Sequence, residues 1–554
     1  MLTALVLVLA TLGAPDRPTA TLLRPLELAS TPGSLAPNLS DSSSPVLLSW
    51  LEPIGDPVTS HRLRVARLGP AGFEGPTTVL ESNRIFANWA DLPSVTAAPD
   101  GSILAHFAEK SASDPYAYDV QLALLAKGSR TFRRLGPAHD DATRSEHGFV
   151  SVLPTGPSEF RLIWLDGRAA NQELGAMSLR TAVVSASGVN RSEVVDDRVC
   201  DCCGTSAAAT KQGPLVVYRD RTESEVRDIS VSRRVGGTWT PPKPIHEDRW
   251  KIAGCPVNGP AVDARGDTVV VAWFTGAPRP GVRVAFSHDS GATFGGPIVV
   301  DETLPHVEGR VDIVLADDAA IVSWLAGTEE SVSQLWVRRV RADGARGDAV
   351  AVLSLSSARA SGFPRMARRS SELFFTWTDA GPPSRVRAGV LPLWTVPEAV
   401  QPPAASTPAP APLSASGYAA QTLEAKPVAL ASLRGRVVFL NLWATWCEPC
   451  RREEPELVKL RNRFGPRGLT VVGVSMDEAG AIEAVRAHAR KSAAFDSTWH
   501  DPGARGMTKF RVPALPASFL LDRTGGIVWS RLGAVSESDP ELREAIEMAL
   551  SRAI

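Results

Sequence analysis

Neither sign of charge dominates this 554-residue chain: 59 Lys and Arg against 60 Asp and Glu leave a net charge of -1. That balance gives no reason to invoke nucleic acid or an anionic membrane as a partner. Beyond Leu2–Leu12, no apolar run approaches the roughly 18 residues that read as a membrane span, so the mature chain is expected to carry none. The Leu2–Leu12 run is itself too short to span and reads as the core of an export signal, residues 1–20. No Lys or Arg precedes it, and no cysteine follows to carry lipid, so the signal departs from the usual pattern. Cysteine is scarce, six in all. After the Cys-x-x-Cys at Cys447 and Cys450 no further one follows at zinc spacing, which argues against a paired-knuckle zinc site there.

That Cys-x-x-Cys reads Cys447-Glu448-Pro449-Cys450. It follows the apolar run Val437–Trp443, which reads as a buried strand, and opens an amphipathic helix with Leu457, Val458 and Leu460 on one side. At a strand-to-helix junction the first thiol meets unpaired amides and the helix dipole, which favour its thiolate. The second thiol, one turn on, can close a disulfide with it. Glu448 opposes the dipole at Cys447, and the expected poise is reducing rather than oxidising.

The flanking residues carry a resemblance. Trp443-Ala444-Thr445-Trp446-Cys447, then Cys450-Arg451 with Glu453, Pro455 and Leu457, resembles the exported thioredoxin-like reductases of the TlpA type. Val512-Pro513-Ala514-Leu515-Pro516-Ala517-Ser518-Phe519 is similar to that family's second landmark. The resemblance implies that Cys447 attacks a substrate disulfide and Cys450 resolves the mixed disulfide. It implies that Glu453 handles protons near the thiols, while Asn441 stands where other thioredoxins carry an aspartate. It makes Pro516 a cis-proline facing the disulfide, with Leu515 offering backbone to an extended substrate and Trp446 beside it. It further implies a periplasmic or otherwise exported location and re-reduction by a membrane electron donor. Cytochrome c and copper-centre assembly are the family's usual work, and the redox domain needs no cofactor. A peroxiredoxin pattern would require Pro at 440 and Thr at 444; Leu440 and Ala444 stand there.

The first two-thirds of the chain repeat. Trp50, His106, Trp164, Tyr218, Trp273, Trp324 and Trp377 each close a short apolar strand, at intervals of 51 to 58 residues. A period of that size in strands and turns predicts propeller blades, here seven, over residues 21–396. The aromatic-ended strand is read as the innermost of each blade. Ring closure is expected to recruit Leu22–Leu28 as the missing strand of the seventh blade. Ser287-His288-Asp289-Ser290-Gly291-Ala292-Thr293-Phe294 resembles the Asp-box turn of sialidase-like propellers. No tyrosine lies between Tyr218 and Tyr418 to serve as a late nucleophile, so the box marks fold and not glycosidase chemistry.

Four cysteines fall in this region. Cys200 and Cys255 both stand 18 residues before their blade's aromatic landmark, and Cys202 and Cys203 adjoin the first. At the equivalent offset the flanking blades carry Glu146 and His306. Three readings are open: structural disulfides, a copper or zinc site to which Asp201, Glu308 or His246 could also contribute, or a redox-active cluster served by the C-terminal domain. The following stretch, Tyr218–Arg221 with Glu225, Arg227 and Asp228, reads as a solvated charged loop. A Pro/Ala-rich linker over 397–416 leads to the thioredoxin-like domain at 417–554.

The sequence thus predicts a multidomain chain, an all-β propeller followed by an α/β thioredoxin fold. Its expected activity is that of a protein thiol-disulfide oxidoreductase acting on protein disulfides or on the cysteines of a metal centre. The alternative is a metal- or partner-binding propeller whose cysteines the fused domain keeps reduced.

Overall fold

The computed structural model describes residues 22–40, 45–114, 116–170, 175–304, 306–329, 332–400 and 415–551. The expected signal, 1–20, and the linker stretch 401–414 lie outside them. Among the described residues no helix is long and apolar enough to cross a membrane.

Seven antiparallel sheets of four or five strands follow one another along the chain. Their first strands, from Leu35–Ser40 in the first sheet to Arg365–Arg369 in the seventh, pack against one another in a ring that closes on itself. Those first strands line the axis. The aromatic landmarks sit on the second strand of each sheet, which corrects their assignment to the innermost one.

The landmarks are large because they fill the space between blades, and most are polar at one end for a second reason. Tyr218 donates its hydroxyl to Asp196 (2.7 Å), Trp273 its indole N–H to Asp248 (2.7 Å) and Trp324 to Asp301 (3.1 Å). Each carboxylate comes from the outer edge of the preceding blade, so one ring both packs a blade and fastens it to its neighbour.

The seventh sheet is completed from the other end of the chain. Arg24–Leu26 pairs antiparallel with Ala388–Val390, and Leu23 is buried beside them. In the Ser287–Phe294 turn, Asp289 accepts from the Thr293 amide (2.9 Å) and hydroxyl (2.6 Å), while the Ser287 hydroxyl oxygen accepts from the Gly291 amide (2.9 Å). These bonds satisfy a backbone that turns through positive φ at Ser290 and Gly291.

The C-terminal domain is a seven-stranded mixed sheet flanked by helices. Its interior strand Val437–Trp443 is buried at every residue, as a run apolar but for Asn441 requires. It pairs parallel with Leu469–Ser475 and antiparallel with Ala517–Leu521. From it the chain enters helix α1 (Glu448–Phe464), followed by α2 (Ile482–Ala489), α3 (Arg505–Lys509) and α4 (Pro540–Ser551). Helix α1 buries Leu457, Leu460 and Phe464 against Leu542 and Ile546 of α4. The site therefore stands where this interior strand hands over to the domain's longest helix.

Candidate functional site

The turn between strand and helix is fixed from below by Asp477. Its carboxylate accepts from the Thr445 amide (2.9 Å) and hydroxyl (2.5 Å) and from the Ser475 hydroxyl (2.7 Å). Cys447 is the N-cap of α1, and its sulfur accepts the Cys450 amide at 3.2 Å. Pro449 occupies the first turn, where its missing N–H costs nothing. Cys447 and Cys450 form a disulfide.

One turn further, Glu453 is buried beneath the pair. Its Oε1 accepts the Val535 amide (2.8 Å), and its Oε2 accepts from the Asn441 amide (3.2 Å), which also reaches Ser518 (3.0 Å). Burial outweighs both bonds and pushes the carboxyl from 4.5 up to about 8. A carboxyl with that value holds a proton at neutral pH and can release it to, or recover it from, a neighbouring thiol.

Pro516 follows a cis Leu515–Pro516 peptide. The Leu515 carbonyl is occupied: it accepts the amide of Cys255, from the propeller, at 2.9 Å in an antiparallel bridge. Two residues away, the Ala534 amide donates to the Ala253 carbonyl at 3.2 Å. Gly254 lies so close that a Cβ there would stand 2.8 Å from the Leu515 oxygen. Arg359 of the propeller stacks on Trp446 at 3.6 Å, and Arg451 of α1 stacks on Tyr116 at 5.3 Å. Ala514 belongs to the same apolar cluster as Trp250, Ile252 and Phe274 of the propeller. The two domains meet on the active-site face. Cys447 is fully buried, at 0% exposure against 5% for Cys450, although an attacking sulfur needs access to its substrate.

Behind Cys255 lie the other propeller cysteines, and all four are free thiols, so the disulfide reading is not realised here. Cys200 approaches Cys203 at 3.3 Å and Cys202 at 3.9 Å, and Cys255 is near enough to Cys202 to raise its thiol. The Cys203 sulfur accepts the Asn258 amide at 3.4 Å. Burial raises the Cys200 thiol, but bonds from Cys202 and Cys203 and the Arg227 guanidinium (3.3 Å) bring it well below its ordinary value. Burial raises Cys202 and Cys203, and their neighbour Cys200 adds to it.

Not every residue at the shared offset joins them. Glu146 faces the cluster, yet its carboxylate accepts the Tyr118 hydroxyl at 2.6 Å, and burial pushes it up to about 8. His306 stands in a separate cavity between the domains with Glu308, Arg310, Arg359, Met507 and Arg511. Burial first, then the charges of Arg511 and Lys509, lower it to about 4. Asp201 pairs with Arg227 (3.2 Å), His246 with Asp248 (2.9 Å), and the Glu308 carboxylate accepts from Ser333. Three cysteines within 4.8 Å of one another are what the structure brings together there.

The charged stretch after Tyr218 is a further correction. Arg219 and Arg227 are buried, not solvated. Arg219 donates to the carbonyls of Asn258, Arg227 and Phe274 (2.7 to 3.0 Å) and stacks on Trp250 at 4.8 Å. It ties the Cys200 and Cys255 loops into one unit. Tyr116 and Arg359 were not legible as site residues, because each acts only across the interface. A further titratable group was also missed: His139 and His147, stacked at 3.8 Å, with Asp119, Asp141 and Asp166 around them. Arg168 enters the same group and bonds to Asp166 at 2.7 Å and to Asp140 at 2.8 Å.

The AhpC/TSA family model matches residues 413–530. The thiol-disulfide oxidoreductase ResA of Bacillus cereus is 30% identical over 127 residues, 23% of this chain and 72% of ResA. The thioredoxin-like protein YneN of Bacillus subtilis is 32% identical over 130 residues, 23% of this chain and 74% of YneN. A solved structure of a thiol:disulfide interchange protein from Chlorobium tepidum is 27% identical, covering 26% of this chain and all of its own, with a TM-score of 0.22. Through its C-terminal domain the chain belongs to the ResA family of thioredoxin-fold thiol-disulfide oxidoreductases.

Proposed function

We propose that the protein is an exported thiol-disulfide reductase working by exchange at Cys447 and Cys450. Cys447 attacks a client disulfide, and Cys450 resolves the mixed disulfide and restores the Cys447–Cys450 bond. Glu453 takes and returns the proton of the resolving thiol. Leu515 and Pro516 hold the client as an added strand, with Trp446 at its flank. The location and the membrane electron donor that re-reduces the pair belong to the same reading. The observation that carries it is the Leu515 carbonyl, which already holds the backbone amide of a cysteine, Cys255, at 2.9 Å. With an external dithiol as reductant, the full chain should reduce the disulfides of insulin, and Cys447→Ser should remove that activity. Undiminished reduction by Cys447→Ser would overturn the assignment.

A second reading concerns the propeller alone. The three sulfurs of Cys200, Cys202 and Cys203 within 4.8 Å of one another favour a soft ion, copper or zinc, on thiolates kept reduced by the fused domain. The reduced protein given either metal and dialysed should then retain it, and Cys200→Ser should lose it. Equal retention by the variant excludes those thiols as ligands.

A further inference from the structure

The loop segment that occupies the Leu515 edge is part of this chain and carries a cysteine at the bridged residue. Ala253-Gly254-Cys255 runs antiparallel to Leu515 and is clasped at both ends, through the Cys255 amide (2.9 Å) and the Ala253 carbonyl (3.2 Å). Gly254 permits the approach, since any side chain there meets the Leu515 carbonyl. Arg359 on Trp446 and Tyr116 on Arg451 bracket the segment with contacts to the two residues that flank the Cys447–Cys450 pair. Both Arg359 and Tyr116 also feel the charge of Cys255. Beyond Cys255 stand Cys202, then Cys200, then Cys203. From Cys255 inward, thiol follows thiol into the propeller.

We propose that Cys255 is a resident client of Cys447, and that the C-terminal domain reduces a Cys202–Cys255 disulfide of its own propeller. This rests on the reductase reading above and names its substrate. The Cys447 thiolate attacks the Cys255 sulfur, forms Cys447–Cys255, and expels Cys202 as a thiolate that takes up a proton. Cys450, having lost its proton, attacks the Cys447 sulfur, restores Cys447–Cys450, and expels Cys255, which is protonated in turn. Two electrons pass from the Cys447/Cys450 dithiol to the Cys202–Cys255 disulfide, and the dithiol is recovered from an external dithiol. The product is the state seen here, with Cys447–Cys450 closed and four free thiols in the propeller.

The test is the full-length Cys450→Ser protein, which can form the mixed disulfide but cannot resolve it. After mild oxidation with diamide, alkylation and proteolysis, a peptide pair joining Cys447 to Cys255 should dominate. Its yield should hold over about a hundredfold dilution, because both partners are in one chain. It should vanish in Cys450→Ser/Cys255→Ala. Gly254→Val, checked for folding by its melting, should lower the yield at least about tenfold and speed reduction of insulin by uncovering the site. Adducts of Cys447 with insulin or other cysteines, and none with Cys255, would overturn the proposal while leaving the reductase reading intact. If Cys447 forms no adduct at all and Cys447→Ser reduces insulin normally, the reductase reading itself fails.

Discussion

Glu453→Gln separates a proton-handling carboxyl from a merely structural one, and the size of its effect follows from burial. In the unfolded chain this carboxyl ionises at 4.5; in the folded domain it keeps its proton to about 8. Within that window the native state binds a proton that the unfolded chain has released, so stability falls as pH rises. The contribution is fully present below pH 4.5 and is lost by about pH 8, at about 1.4 kcal/mol per pH unit and about 5 kcal/mol in all. Glutamine does not titrate and removes this slope. It can still accept the Val535 amide, but its Nε2 faces the Asn441 amide donor, at a cost of about 1 kcal/mol unless Asn441 turns over. The variant should therefore be slightly less stable than the parent at pH 4 and about 3 to 4 kcal/mol more stable above pH 8. Denaturant unfolding at pH 4, 6 and 8 measures the difference, followed through hydrogen exchange of the Val535 amide. Insulin reduction should fall by about a hundredfold and lose the inflection near the Glu453 value. A stability difference independent of pH would refute the buried-proton argument, even if activity fell.

Two predictions concern the propeller. Deleting residues 22–28 removes the strand that pairs with Ala388–Val390 and the buried Leu23, and should lower the melting temperature of the whole ring; a truncated protein melting like the parent excludes closure by this strand. Trp324→Phe leaves the buried Asp301 carboxylate short of one donor and should cost about 3 kcal/mol in denaturant unfolding, whereas a loss below about 0.5 kcal/mol would mean the indole serves only by its bulk.

Much of this architecture is legible because short-range chemistry imposes it. A strand buried on both faces must read as Val437–Trp443 does, and a thiol pair at a helix start must have the spacing of Cys447 and Cys450. The blade period is visible because each blade needs one large ring at the same depth. The Leu22–Leu28 closure is legible because a seventh sheet short of one strand needs a donor from somewhere else in the chain. What sequence does not carry is the identity of a partner across an interface. Arg219 and Arg227 look solvated in a run of charges, yet the carbonyls of Asn258 and Phe274 and the Cys200 sulfur lie 39, 55 and 27 residues away. Equal offsets place Cys200, Cys255, Glu146 and His306 on equivalent loops. They do not fix which way each side chain turns, and Glu146 is taken by Tyr118 while His306 faces the other domain.

The burial of Cys447 joins these two kinds of information. Taken alone, an attacking sulfur needs exposure, and a thioredoxin-fold domain by itself would provide it. Here the same face meets a loop of the propeller, bridged antiparallel to Leu515 through its cysteine. An interface chosen only to join two domains has no need of that register, nor of a glycine whose absent side chain admits the Leu515 carbonyl. It has no need either to place its cysteine beside three further thiols. A site that must also serve external clients has to release Ala253–Cys255 first, and the polar part of the clasp is two backbone hydrogen bonds and two stacked cations, beside the apolar contact of Ala514. At about 1 kcal/mol for each, such a clasp opens often enough to permit turnover and closes often enough to favour the resident thiol. The order of events then follows from proximity: the propeller cysteines are served first, and outside disulfides only when the clasp is open.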